Sequence, residues 1–217
     1  MAEPSPIIAV PHAGSDEAGK GDYFGPLVVA AAFADETALA RLPQAGVRDA
    51  KRLSISSLWE REKAVRQICP AFEVVVISPA RYNQLYEEIG NLNRLLAWAH
   101  ARAIENVLAR AGCGVVVADQ FGDERLLRSS LMARGRRVEL LQRVRAEDDP
   151  AVAAASVLAR AAFVRGLARS SALAGLDLPR GATHVLPAAR SVYARGGMDL
   201  LRQVAKIHFR TTKQVAG

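Results

Sequence analysis

The chain has 217 residues, 50% hydrophobic and 24% charged, a globular balance that excludes disorder throughout. Its two cysteines, Cys69 and Cys113, form no CxxC pair, which excludes a disulfide scaffold and gives no zinc signal. The formal charge is +7, and residues 160–217 carry ten Arg or Lys against Asp177 and Asp199, a local excess of +8 that points to a surface docking a polyanion. Residues 1–6 read as a loose tail. Strands are expected over 7–13 and over 27–33, the second a continuous apolar run behind Gly25-Pro26. A helix over 54–68 has Ser54 or Ser56 to cap it, and the β-branched stretch 72–78 is a strand ended by Pro79. Helices follow over 80–89 and 92–111, the latter stopped at Gly112. A buried strand over 114–118 leads into Asp119, a helix over 124–133 is closed by Gly135, and a further strand covers 137–144. Pro150 opens an alanine-rich helix to 168, and helices over 187–195 and 199–207 complete the chain. The class is α/β, a mixed β-sheet flanked by helices with a basic helical C-terminal region over about 160–217, in one domain spanning 1–217.

The chemistry concentrates in Gly14-Ser15-Asp16-Glu17-Ala18-Gly19-Lys20-Gly21-Asp22-Tyr23-Phe24-Gly25-Pro26. Gly14, Gly19 and Lys20 have the spacing of a phosphate-binding loop, but Gly21 stands where that motif needs Ser or Thr, and Asp16 and Glu17 would repel a phosphate. Adjacent carboxylates at a strand end suit a cation. Successive strand residues point to opposite faces, so both serve one site only where the strand twists or ends. Asp119 is delivered at the C-terminal end of a buried strand, the edge where open α/β sheets bind ligands. Glu147-Asp148-Asp149 then precede the helix at Pro150. Three acidic clusters at sheet edges of a basic protein suit hard divalent cations, which take oxygen ligands from a few carboxylates and from substrate phosphates.

This signature closely resembles that of ribonuclease HIII, a type 2 ribonuclease H. The resemblance continues through Asp49-Ala50-Lys51-Arg52-Leu53, Asn91-Leu92-Asn93, Asp119-Gln120-Phe121, Arg145-Ala146-Glu147, Ala151-Val152-Ala153-Ala154-Ala155-Ser156, Leu178-Pro179-Arg180-Gly181-Ala182 and Ala205-Lys206-Ile207-His208-Phe209. It implies a ribonuclease H-like fold and hydrolysis of the RNA strand of RNA/DNA hybrids with Mg²⁺ or Mn²⁺, two ions during catalysis, leaving 5′-phosphate and 3′-hydroxyl ends. Carried over, the catalytic and metal-holding quartet is Asp16, Glu17, Asp119 and Glu147; a shift of one would put Asp148 in the fourth place. Asp16 and Asp119 are the expected shared ligands. Backbone N–H groups of Gly19, Lys20 and Gly21 are expected to reach the 2′-hydroxyl that tells RNA from DNA. Tyr23, Lys51, Asn91 and Asn93 are further substrate candidates, each with a purely structural alternative. Arg202, Lys206 and Arg210 are expected to carry hybrid binding through the basic last quarter. His12, His100 and His184 show no metal-ligand spacing, and His208 reads as structural. The family's usual N-terminal substrate-binding domain has no counterpart in the 13 residues before the signature: either it is naturally absent, which the starting Met and the loose Pro-containing tail favour, or the chain is a fragment. No membrane partner is expected, since the longest apolar run has eight residues; reduced thiols and the lack of a signal peptide point to the cytoplasm, and a monomer is expected.

Overall fold

A computed structural model describes residues 8, 10–47 and 54–216. Five strands form one sheet in the order β3-β2-β1-β4-β5. They are β1 (His12–Ala18), β2 (Leu27–Ala34), β3 (Ala71–Ile77), β4 (Val115–Asp119) and β5 (Glu139–Arg143). β1 runs antiparallel to β2 and β2 to β3, whereas β1, β4 and β5 are parallel. The sheet is therefore mixed, as expected from the sequence.

Strand alternation sorts the core into two layers. Val28, Ala30, Ala32 and Ala34 of β2 face a layer containing α1 (Glu36–Gln44), α2 (Ile55–Ile68), α6 (Pro150–Ala174) and α7 (Leu186–Val204). Leu27, Val29, Ala31 and Phe33 face α3 (Pro79–Ile89), α4 (Leu92–Leu108) and α5 (Glu124–Ser130). A short C-terminal helix, α8, spans Arg210–Ala216.

Helix α6 is the pillar of the first layer. Asp149 caps it by accepting from Ala151 N–H at 3.0 Å and Val152 N–H at 3.1 Å, Pro150 supplies the first turn, and Gly175 ends it with φ 66°. It is long and apolar enough to cross a bilayer, but 78% of that stretch is buried inside the fold, which accounts for its composition. Its alanines let it approach β1 closely. A Cβ on Gly14 would stand 2.1 Å from Val152 N and 2.2 Å from Ala151 C, both backbone atoms. Gly14→Ala is therefore expected to cost about 3 kcal/mol or more. That corresponds to a fall of about 6–12 °C in Tm for a chain of this length, measured by thermal unfolding. An unchanged Tm would refute this packing.

Several elements differ from expectation. The first strand covers His12–Ala18, not 7–13, so the acidic pair lies within it. α4 ends at Leu108 rather than at Ala111, because the chain tightens after Ala109: Arg110 N–H bonds Val107 O, three residues back, at 2.9 Å. α5 and β5 are shorter than expected, and α6 runs six residues beyond 168. The two helices expected over 187–195 and 199–207 form α7, broken at Gly196 and Gly197; residues 205–207 leave the helix to pair with the signature loop. α1 was not anticipated, although Asp35, whose carboxylate accepts from Ala38 N–H at 2.8 Å, is a legible cap. The tail 1–6 and the stretch 49–53, with Lys51, lie outside the described residues.

Candidate active site

β1 and β4 pair in parallel with Gly14 opposite Val117 and Ser15 opposite Ala118; one step further, Asp16 and Asp119 stand beside each other where both strands end. Alternation then divides the acidic pair between the two helical layers. Asp16 turns toward α6, where Ser156 hydrogen-bonds its carboxylate. Glu17 turns toward α4, where His100 Nε2 lies 3.2 Å from Oε2. The two serve one edge because β1 stops one residue later, at Ala18.

Asp16 is 7% exposed, and its Oδ1 accepts from Glu17 N–H at 2.7 Å. Burial, then the charge of Glu17 and that of Asp119, push its carboxyl up to about 7, against the lowering effect of Ser156. Asp119 Oδ1 accepts from Ala146 N–H at 2.9 Å, which docks the turn Ala146–Asp148 against the end of β4. Arg145 enters that turn with φ 57°, in the left-handed region a non-glycine residue occupies at a cost. Of the three successive acids, Asp148 is exposed, while Asp149 caps α6 and pairs with His12 Nε2 at 2.9 Å. Burial would lower the His12 pKa, but the hydrogen bond and charge of Asp149 raise it. Glu147, half-buried and next to the residue bonded to Asp119, is the acid of the three best suited to the edge.

Among the described residues no three His, Cys, Asp or Glu side chains enclose a common point. The carboxylates form a row along the sheet edge, with room for oxygens from a ligand. Burial first, and then the neighbouring charges, raise the Asp16 pKa, and a divalent cation offsets both, so the donor set fits hard cations.

Behind Glu17 lies a relay the sequence did not reveal. Ser15 Oγ is 2.7 Å from His100 Nδ1, and the His100 ring stacks on Phe121 at 4.7 Å. Ser15 Oγ donates its proton to Ala30 O at 3.0 Å and so accepts from His100 Nδ1, which holds the ring with Nε2 against Glu17 and fixes the orientation of that carboxylate. His100 is fully buried. Lys20 extends over the same carboxylate: Nζ is 3.8 Å from Glu17 Oε1 and donates to Phe121 O at 3.1 Å.

Beside the row opens a cleft of about 490 Å³, lined among others by Gly19, Gly21, Ser156, Arg160, Phe163 and Arg180. Gly19 has φ 86°, and a Cβ there would meet Pro26 O at 2.3 Å, so glycine is required by the backbone itself. Gly21 is different: nothing lies within 4 Å of where its Cβ would be, leaving that backbone open to a ligand. Ser156 and Arg160 are four residues apart on one face of α6, a spacing that would have identified Arg160.

Other sequence candidates fall elsewhere. Tyr23 is buried in the core, packed edge-on against Phe24 with its hydroxyl 3.0 Å from Thr212 Oγ1, and so does not reach a sugar. Lys206 is fully buried, donating to Asp22 O at 2.7 Å and Gly25 O at 2.8 Å; burial lowers its pKa to about 7. It is no surface cation, so it does not carry hybrid binding as expected from the sequence. Arg202 pairs with Glu87 at 3.0 Å and Arg210 is exposed on α8; the last-quarter arginines lining the cleft are Arg160 and Arg180. Asn91 caps α4 by accepting from Arg94 N–H at 3.1 Å, whereas Asn93 lies against Gly122 in the loop after Asp119. His208 stacks on Tyr86 at 4.3 Å, a structural role as expected.

The comparisons agree with this geometry. The family model described as Ribonuclease HII matches residues 13–212. The ribonuclease HIII of Protochlamydia amoebophila (strain UWE25) is 41% identical over 212 residues, 97% of this chain and 70% of the relative. That of Chlamydia pneumoniae is 38% identical over 209 residues, 94% of this chain and 70% of the relative. The crystal structure of Bst-RNase HIII in complex with Mn²⁺ superposes with a TM-score of 0.87 at 32% identity, covering 96% of this chain and 70% of that one. The ribonuclease H2 of Pyrococcus horikoshii OT3, at 22% identity and TM-score 0.82, shares the fold. With its acidic signature at the end of β1 and this match over nearly its whole length, the chain belongs to the ribonuclease HII family, alongside that family's ribonucleases HIII.

Proposed function

We infer that the chain is an endonuclease hydrolysing the RNA strand of RNA/DNA hybrids. The observation that carries this is the row of carboxylates at the ends of β1 and β4, beside a cleft lined by glycine backbone and two arginines. Asp16, Glu17, Asp119 and Glu147 would hold divalent ions, which when bound activate water and stabilise charge on the departing 3′-oxygen. Ser156 orients Asp16, and His100 with Ser15 orients Glu17. Arg160 and Arg180 supply positive charge to the phosphates of the incoming duplex, and the open backbone at Gly21 admits a ribose. Products are 5′-phosphate and 3′-hydroxyl ends. We include in this reading a cytoplasmic monomer; Cys69 and Cys113 are free thiols, and burial raises the pKa of both.

The test is cleavage of a labelled RNA/DNA hybrid beside a DNA duplex with one ribonucleotide, in Mg²⁺, Mn²⁺ or EDTA, with Asp119→Asn as the inactive control. Metal-dependent cutting of the hybrid alone supports the reading. Efficient cutting at the single ribonucleotide would move the activity toward that of a ribonuclease HII. Cutting of neither overturns it.

His100→Phe keeps the stack on Phe121 and removes the bond to Glu17. It is expected to lower kcat about 10–100-fold and to weaken Mn²⁺ binding, measured by calorimetry. Wild-type values for both would show that Glu17 needs no such support.

A further inference from the structure

The loop 19–25 joins β1 to β2, and its own internal support is slight: Asp22 N–H reaches Gly19 O at 3.3 Å. Its fastenings come from the far end of the chain. Gly25 N–H donates to Val204 O at 2.9 Å, Lys206 N–H donates to Tyr23 O at 2.9 Å, and Phe24 forms a bridge with Ala205. Lys206 Nζ closes on two carbonyls of the loop, Asp22 O at 2.7 Å and Gly25 O at 2.8 Å. From α8, Thr212 Oγ1 meets the Tyr23 hydroxyl at 3.0 Å. The segment is itself held from α3: Asn83 Nδ2 donates to Arg202 O and Ala205 O, and Asn83 Oδ1 accepts from Ile207 N–H, all within 3.0 Å.

Burying a lysine with no carboxylate bonded to its ammonium is costly unless its donors are used. Here both bonds of Nζ end on backbone of one loop, the loop whose Gly19 and Gly21 line the cleft. We propose that Lys206 is a positioning residue for substrate recognition, fastening the 19–25 loop so that its backbone meets the hybrid in one fixed conformation. This rests on the reading above, in which that loop contacts the ribose. Such preorganisation acts on affinity, because a loop already ordered loses nothing more on binding. The carboxylates stand outside the loop, Asp16 and Glu17 on β1, Asp119 at the end of β4 and Glu147 in the turn bonded to Asp119.

The experiment compares wild type with Lys206→Met, Thr212→Val and Gly21→Val. It measures kcat and KM on an RNA/DNA hybrid, Mn²⁺ affinity by calorimetry, and folding by circular dichroism. Folded Lys206→Met is expected to raise KM about tenfold, with kcat within about threefold of wild type and Mn²⁺ affinity unchanged. A folded Lys206→Met with wild-type KM overturns the proposal. Should that variant fail to fold, Thr212→Val decides. A KM raised about threefold supports the clasp, and an unchanged KM overturns it. Gly21→Val adds a side chain in open space and tests the underlying reading separately. A raised KM keeps the loop as the substrate contact whatever Lys206 does; an unchanged KM removes that role, and the proposal falls with it.

Discussion

Asp16→Asn is expected to abolish activity, by about a thousandfold or more, while making the protein without metal more stable. The two effects have one cause. Asp16 is buried between Glu17 and Asp119, and its carboxyl titrates at about 7 against a usual 3.8. Over that interval the folded state keeps a proton that the unfolded chain has released, so stability falls as pH rises from about 4 to about 7 and is flat above. Asparagine keeps the shape and the acceptor for Glu17 N–H without the charge. In EDTA at pH 8 the variant should gain on the order of 2 kcal/mol, about 4–8 °C in Tm. The gain should vanish near pH 4. Mn²⁺ should raise the Tm of the wild type and leave the variant nearly unmoved. A variant no more stable than wild type at pH 8 would mean that Asp16 carries no such electrostatic burden.

The second large effect separates neighbours. Glu147→Gln removes a charge from the half-buried acid that follows the Ala146 bond to Asp119, and should reduce kcat about a thousandfold, or about 4 kcal/mol of transition-state stabilisation. Asp148→Asn changes an exposed residue and should leave kcat within about threefold. Asp149 offers a different contrast, because its loss removes both the cap of α6 and the partner of buried His12, so Asp149→Ala should fail first in thermal unfolding. Exchanged magnitudes for Glu147 and Asp148 would shift the fourth carboxylate by one position.

What was legible in the sequence was local. The apolar run after Gly25-Pro26, the capped helix at Ser54 and the Pro150 helix start all announce themselves through neighbours in the chain, and each element stands where expected. β1 was misplaced because its residues carry no apolar alternation: Gly14 is small to admit α6, and Asp16 and Glu17 serve the site. The Asp119 carboxylate was readable because a β-branched run delivers it. Tyr23 and Lys206 were misjudged, and the bonds of His100 were not foreseen, for a common reason. Their environments are made by residues 189, 184 and 83 positions away, and residue type suggests exposure for lysine. The net positive charge of the last quarter was correctly counted, but ion pairs with Glu62 and Glu87 and the burial of Lys206 divert much of it from any ligand.

The pairing of Phe24 with Ala205 has a consequence for biosynthesis. β1, β2, β4 and the start of α6 are all made before residue 160, so the catalytic carboxylates can gather on a growing chain. The loop between β1 and β2 must wait for partners about 180 residues downstream, roughly 10–35 s at translation rates of 5–20 residues per second. An interrupted chain thus carries the acidic edge without the fastened loop. Tight binding of the hybrid therefore waits for residues 204–206, long after the carboxylates have gathered.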